Sequence, residues 1–254
     1  MNNCIIILTL ILLAAMVLAG GKNGLKSFFG LILTLGILII SVTLIAWGIS
    51  YLIVTLIGAL IILATTIYFG NSTPQNAELA FYAALIVLAI MICLIVPIEH
   101  WAQIQGFGNE NTPELEGMSL QIGIKFMNVS ISMMVLSTLG AIAEAAVSIS
   151  SNLHEILQQN PELTTNQITI SGIKSGHQIL STACNTLFFG FFGGFLSLFI
   201  WFVQLNYSFG TFLNDKIFVA EFSLTIISII AVILTIPTTI LIFNLQHHHH
   251  KLSS

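Results

Sequence analysis

Six polar side chains in the second half of the chain have the types and spacing to handle an ion, a proton or a small solute: Glu144, Ser148, Glu155, His177, Gln178 and Asn185. Glu144 follows Gly140 by four residues and precedes Ser148, Ser151 and Glu155 by four, seven and eleven, which puts all five on one helical face. An ionised carboxylate at the bilayer centre costs about 3 kcal/mol or more, so such a group ordinarily faces a bundle interior or a water-filled cavity. Glu144 therefore has two readings. It is an ionisable gate or coupling group on a solute path, or it is a capping or snorkelling acid at a helix end. Gln178, Ser181 and Asn185 are aligned by spacings of three and four, and amides so placed either coordinate a solute or bond a neighbouring helix. Beside them Thr182, Thr186, Gly190 and Gly194 repeat every four residues as a small-residue ridge that lets another helix approach; Gly140 offers the same on the Glu144 face.

Lys174 and His177 stand among Ser171, Gly172, Ser175 and Gly176. That pattern fits either a re-entrant segment bringing a cation and an imidazole near Glu144 and Glu155, or an amphipathic helix lying in the interface. His154 and His177 lack partners at metal-ligand spacing, so no metal site is expected. Cys4, Cys93 and Cys184 each sit alone in an apolar run and read as small buried hydrophobes. There is no HExxH, GxSxG, Walker A or GxGxxG pattern, and the single aspartate, Asp215, lies in an expected loop. The expectation is a protein that is not an enzyme and carries no cofactor. An intramembrane enzyme using Ser148 or Ser151 is the weaker alternative.

The elements that must position these residues follow from composition. Of 254 residues 56% are hydrophobic and 6% charged, with a mean hydropathy of +1.01. A soluble domain carries about 25% charged residues. Apolar runs long enough to span the hydrocarbon core as helices recur throughout, without the short alternating segments of a barrel. The expected fold is all-α: a polytopic transmembrane helix bundle, one integral-membrane domain over 1–245, followed by a polar, His-rich tail at 246–254. Seven spans are expected, at about 4–20, 28–47, 51–69, 79–98, 120–143, 181–203 and 220–245. A basic turn lies at 21–26, a turn cluster at 71–78 and an acidic, solvent-facing loop at 99–118. A cytoplasmic interfacial or re-entrant segment joins spans five and six. Phenylalanines 188, 189, 191, 192, 195, 199 and 202 are expected against lipid. Pro237 interrupts the last span, with Thr235, Thr238 and Thr239 placed to re-satisfy its backbone.

All six basic residues are lysines, too few and too scattered for a nucleic-acid partner. With seven spans, Lys22, Lys26, Lys174 and Lys251 fall on one side and Lys125 and Lys216 on the other. The positive-inside rule then puts the N-terminus outside and the C-terminus in the cytoplasm.

The run Leu139-Gly-Ala-Ile-Ala-Glu144 through Glu155, then Asn160-Pro161, Ser171-Gly172, and Cys184-Asn-Thr-Leu187 leading to Phe192-Gly-Gly194, resembles the bacterial YibE/F family of multi-pass membrane proteins. The Gly-Gly-Lys-Asn-Gly turn and the Pro237 span fit as well. The resemblance covers nearly the whole chain and is strongest over 139–244. It implies a bacterial plasma-membrane location and a shorter, YibF-type member with a YibE-type paralogue as partner. Membrane lipid is expected from the composition, and a homo-oligomer is the alternative to the paralogue. Where the family has an aspartate this chain has Glu144 and Gln178, and His177 replaces a basic residue; glutamate keeps the charge and glutamine does not. The family brings no established activity. The leading expectation is a permease-type component for a small ion or solute, and the alternative is a non-transporting assembly subunit paired with the paralogue.

Overall fold

The computed structural model describes residues 2–70, 74–104 and 126–253. Among them are eight helices and no strand: α1 (Asn2–Ala46), α2 (Tyr51–Gly70), α3 (Pro74–Ala102), α4 (Phe126–Gln159), α5 (Thr165–Gly194), α6 (Leu196–Gln204), α7 (Phe209–Leu213) and α8 (Lys216–Ser253). The protein is an all-α bundle, as composition demands. Five helices, Cys4–Ala46, Tyr51–Gly70, Asn76–Ala102, Met127–Gln159 and Lys216–His247, are long and apolar enough to cross a membrane. Helices α5 and α6, bent by 50° where they meet, make a sixth when taken as one broken span. The count is thus about six rather than seven.

The difference arises at the N-terminus. Runs 4–20 and 28–47, expected as separate spans across a basic loop, are one helical run in which only Gly21 leaves helical geometry (φ 55, ψ −128). That backbone is open to glycine and costly to any residue with a Cβ. The turn there is so tight that a Cβ on Gly24 would collide with the carbonyl of Met16.

Other boundaries move because helices continue where breakers were read as stops. Helix α3 begins at Pro74, so 74–78 of the expected turn cluster are helical, proline being suited to a first turn because it lacks the N–H that would go without an intrahelical partner there. It then passes through Pro97 to Ala102 instead of ending there. Proline forfeits the bond to the carbonyl of Cys93, and packing against α4 and α8 keeps the helix going. Residues 120–125, including Lys125, and the acidic loop from 105 onward lie outside the described residues. The expected interfacial segment between spans five and six is the facing ends of two long helices, α4 and α5. Thr164 and Gln167 form a capping box that starts α5 directly after the Asn160-Pro161 turn. Cys4 and Cys93 are exposed on the outside of the bundle, not buried in it.

Helix α4 is the hub, packing against α2, α3, α5 and α8, whereas α1 packs on α2 alone and its 4–20 half is almost wholly exposed. Leu63, Val87, Met91, Ile95, Met134 and Ile142 are fully or almost fully buried in the main apolar cluster. Between lipid-embedded helices such contacts act by close packing, not by transfer from water. Hydrogen bonds join the helices at several heights: Thr55 donates to Ser132 at 2.7 Å, Ser150 to the carbonyl of Asn76 at 3.0 Å, and Asn244 to Thr169 at 2.8 Å. Each contributes about 0.6 kcal/mol on average. Gly172 and Gly176 let α5 close on Ile240 and Ile236 of α8, where a Cβ would collide.

Two smaller expectations are corrected. Phe191 and Phe202 are buried, gathered with Phe199, Phe212, Phe218 and Phe222 around the α5–α6 elbow, while Phe189 and Phe192 do face outward. The hydroxyls of Thr235, Thr238 and Thr239 donate to the carbonyls of Ala231, Leu234 and Thr235, not to Ile233, whose bond Pro237 removes.

Candidate functional site

The helical face read from sequence exists, and it points out of the bundle. Along α4, Gly140, Glu144 and Glu155 are exposed and Ser148 and Ser151 half-buried, while Ile142, Ala145, Ala146 and Ile149 on the opposite side are buried. Along α5, Lys174, His177, Gln178, Ser181, Thr182, Asn185 and Thr186 are all exposed. A Cβ on Gly140, Gly190 or Gly194 would meet nothing within 4 Å, so among the described residues no helix packs against the predicted ridge at these glycines. The hydroxyls of Thr182 and Thr186 turn back to the carbonyls of Gln178 and Thr182. Glu155 accepts from its own helix neighbour Gln159 at 3.4 Å, and neither Lys174 nor His177 is paired with it or with Glu144. His154 bonds through Nδ1 to the carbonyl oxygen of Ser150 and lies edge-on to Phe243.

Depth follows from contacts. Helix α5 runs antiparallel to α8, with Thr169 beside Asn244, Gly172 beside Ile240, Gly176 beside Ile236, and Phe191 against Phe218 and Phe222. That register sets Gln178, Ser181 and Asn185 level with Leu234, Ala231 and Ile227, the middle of the apolar span Lys216–His247. Leu153 of α4 also abuts Gly172. Counting equal numbers of residues away from the turn, at about 1.5 Å per residue, brings Glu144 level with Ser181. A carboxylate, two amides and a hydroxyl thus stand near mid-depth on the outer surface of one chain. Hydrocarbon offers none of them a partner.

A second polar place lies inside the bundle. Glu99, expected in a solvent-facing loop, sits in the last turn of α3 and is 0% exposed. Ser130 of α4, also buried, donates to its Oε1 at 2.6 Å, and Oε2 is buried without a partner among the described residues. Ile95, Ile104 and Ile131 are buried in the same apolar cluster. Beyond Glu99 the helix ends on Gln103, which adopts a left-handed conformation (φ 49) and donates its N–H to the carbonyl of Glu99 at 2.9 Å. Glycine is the usual residue there. The reversal carries Ile104 back into the core while Trp101 stays 90% exposed.

Residues 8–249 match the YibE/F-like protein family. The chain belongs to that family. No curated protein and no solved structure matches it. Within this YibE/F-like protein, no group of three or more His, Cys, Asp or Glu among the described residues could hold a metal ion. Its outward stripe has the chemistry to solvate a small polar species along α4 and α5, provided that something other than lipid covers it. Glu99 and Ser130 form a buried pair that the sequence reading misses, because the span is expected to end at 98 and Glu99 to open a solvent-facing loop. The legible signal is a carboxylate immediately after an apolar run, with Ser130 inside the next run.

Proposed function

We propose that this YibE/F-like chain is a permease-type component for a small ion or solute, with a hydrophilic path lying between the α4–α5 face and a second membrane chain. The observation that carries the reading is the mid-depth, outward placement of Glu144, Gln178, Ser181 and Asn185. Polar residues in a spanning helix normally face protein or a water-filled cavity. The open glycines Gly140, Gly190 and Gly194 leave room for a helix to lie close by. In this scheme Glu144 is the ionisable gate or coupling group, Asn185 and Gln178 coordinate, Ser148 extends the path towards Glu155, and His177 lies near its cytoplasmic mouth. Lys22, Lys26 and Lys174 belong to the end of the bundle that holds the α4–α5 turn, and Lys216 to the other; Lys26 lies over the Phe69 ring at the end of α2. The proposal places the basic end in the cytoplasm of a bacterial cell, with the C-terminus there; an even count of six spans brings the N-terminus to the same side, in place of the outside location expected from seven.

The same placement also favours a second reading, a non-transporting assembly subunit whose stripe is glued to a YibE-type paralogue. The two separate in reconstituted vesicles. Glu144→Gln and Asn185→Ala should abolish flux of the transported species while leaving expression intact, whereas a pure assembly subunit shows no flux under any imposed gradient. Cysteines placed singly at 144, 181 and 185 should cross-link to a neighbouring chain. Free labelling by a lipid-soluble reagent with no cross-link to any chain would remove the basis of both readings.

A further inference from the structure

We infer that Glu99, held by Ser130, is a proton-binding site within the membrane domain, separate from the α4–α5 stripe. The carboxyl is fully enclosed, yet only three residues from the end of α3 at Ala102, so it lies within about one helical turn of the aqueous face. Among the described residues its single donor is the Ser130 hydroxyl on Oε1, and Oε2 is enclosed without a partner. Titratable or charged groups at the same end are Tyr51 at the head of α2, His100 on the exposed side of α3, and Asp215, Lys216 and Glu221 at the head of α8. On α4 the nearest acid, Glu144, is four turns away and exposed. None of these is bonded to Glu99, so among the described residues no cation is paired with its carboxyl.

The occupant follows from what the pocket can supply. Calcium takes six to eight oxygen ligands and magnesium a near-ideal octahedron, whereas among the described residues one carboxylate and one hydroxyl converge here. A proton needs one oxygen. In the loaded form it sits on Oε2, Oε1 becomes the carbonyl oxygen and keeps accepting from Ser130, and the site is neutral inside the bundle. Unloading leaves a carboxylate and releases the proton towards the face where α3 ends. The left-handed Gln103 and the buried Ile104 follow Glu99 on the way to that face.

The test does not depend on transport, so it can fail independently of the permease reading. Full-length protein in lipid nanodiscs is titrated while the carboxyl C=O stretch is followed by infrared difference spectroscopy. The expected result is a protonated-carboxyl band that grows on acidification, is missing in Glu99→Gln and is unchanged in Glu144→Gln. In Ser130→Ala the band should move to higher frequency, because the carbonyl oxygen loses its donor. As a check that needs no variant, dicyclohexylcarbodiimide, an apolar reagent for protonated carboxyls, should form an adduct on Glu99 of the wild-type protein, and less of it as pH rises. A band that persists in folded Glu99→Gln, one that responds to sodium and not to pH, or adducts confined to the exposed acids would overturn the assignment.

Discussion

Truncating Ser130 and Ser132 in turn separates two hydroxyls that face different partners on one helix. Ser130 is the sole donor to an enclosed carboxyl among the described residues, so Ser130→Ala should cost about 1–3 kcal/mol, the penalty for stranding a buried polar group. Ser132 receives the Thr55 hydroxyl and itself bonds the carbonyl of Asn128, so Ser132→Ala should cost about 1 kcal/mol or less. Thermal unfolding in detergent should place Ser130→Ala below Ser132→Ala, and equal midpoints would contradict the importance given to Glu99. The spacing Gly140, Glu144, Ser148, Ser151, Glu155 was legible because helical periodicity is a local property. Whether that face turns inward is not local: periodicity tells which residues share a side, and when both sides are largely apolar only the packed neighbours decide which one is covered. Glu99 was hidden for a different reason, since proline ends a helix in water far more readily than in a bundle whose neighbours hold it straight.

Among elements, the α5–α8 seam and the α5 outer ridge make opposite demands on glycine. A leucine at Gly176 would drive into Ile236, so Gly176→Leu should destabilise the folded protein by about 1–3 kcal/mol or more, seen as a lower unfolding midpoint and yield. Gly190→Leu meets open space within the chain and should leave the monomer's midpoint unchanged while breaking co-purification with a partner. Loss of stability in both, or in neither, would mean that the two ridges have been assigned wrongly. Gly21 is a third case. Because α1 ahead of it touches little, Gly21→Ala should redirect that helix without lowering the bundle's midpoint. Spin labels on Cys4 and on a cysteine at Leu44, in a background lacking Cys93 and Cys184, would report the change as an altered distance. The boundaries of α2 follow from apolar run length alone. Helix α4, in contrast, runs past the expected 143 to Gln159 and α8 spans Lys216–Ser253 in place of 220–245, because a helix continues beyond the apolar stretch that run length marks. The α1 break was read as a whole loop because Gly-Gly-Lys-Asn-Gly carries turn chemistry at several positions, of which the backbone uses one.

At the scale of the molecule, α4 touches four other helices, and its hydrogen bonds reach backward along the chain. Thr55 waits 77 residues for Ser132, and Glu99 waits 31 for Ser130. During synthesis α2 and α3 therefore leave the ribosome with side chains whose partners have not yet been translated. Each must stay in a wet insertion channel, or enter lipid uncompensated, until α4 emerges. A nascent chain arrested before residue 130 should accordingly remain extractable and protease-sensitive, and one arrested beyond Gln159 should not. The order of translation, as much as the finished contacts, decides when this protein can commit to the bilayer.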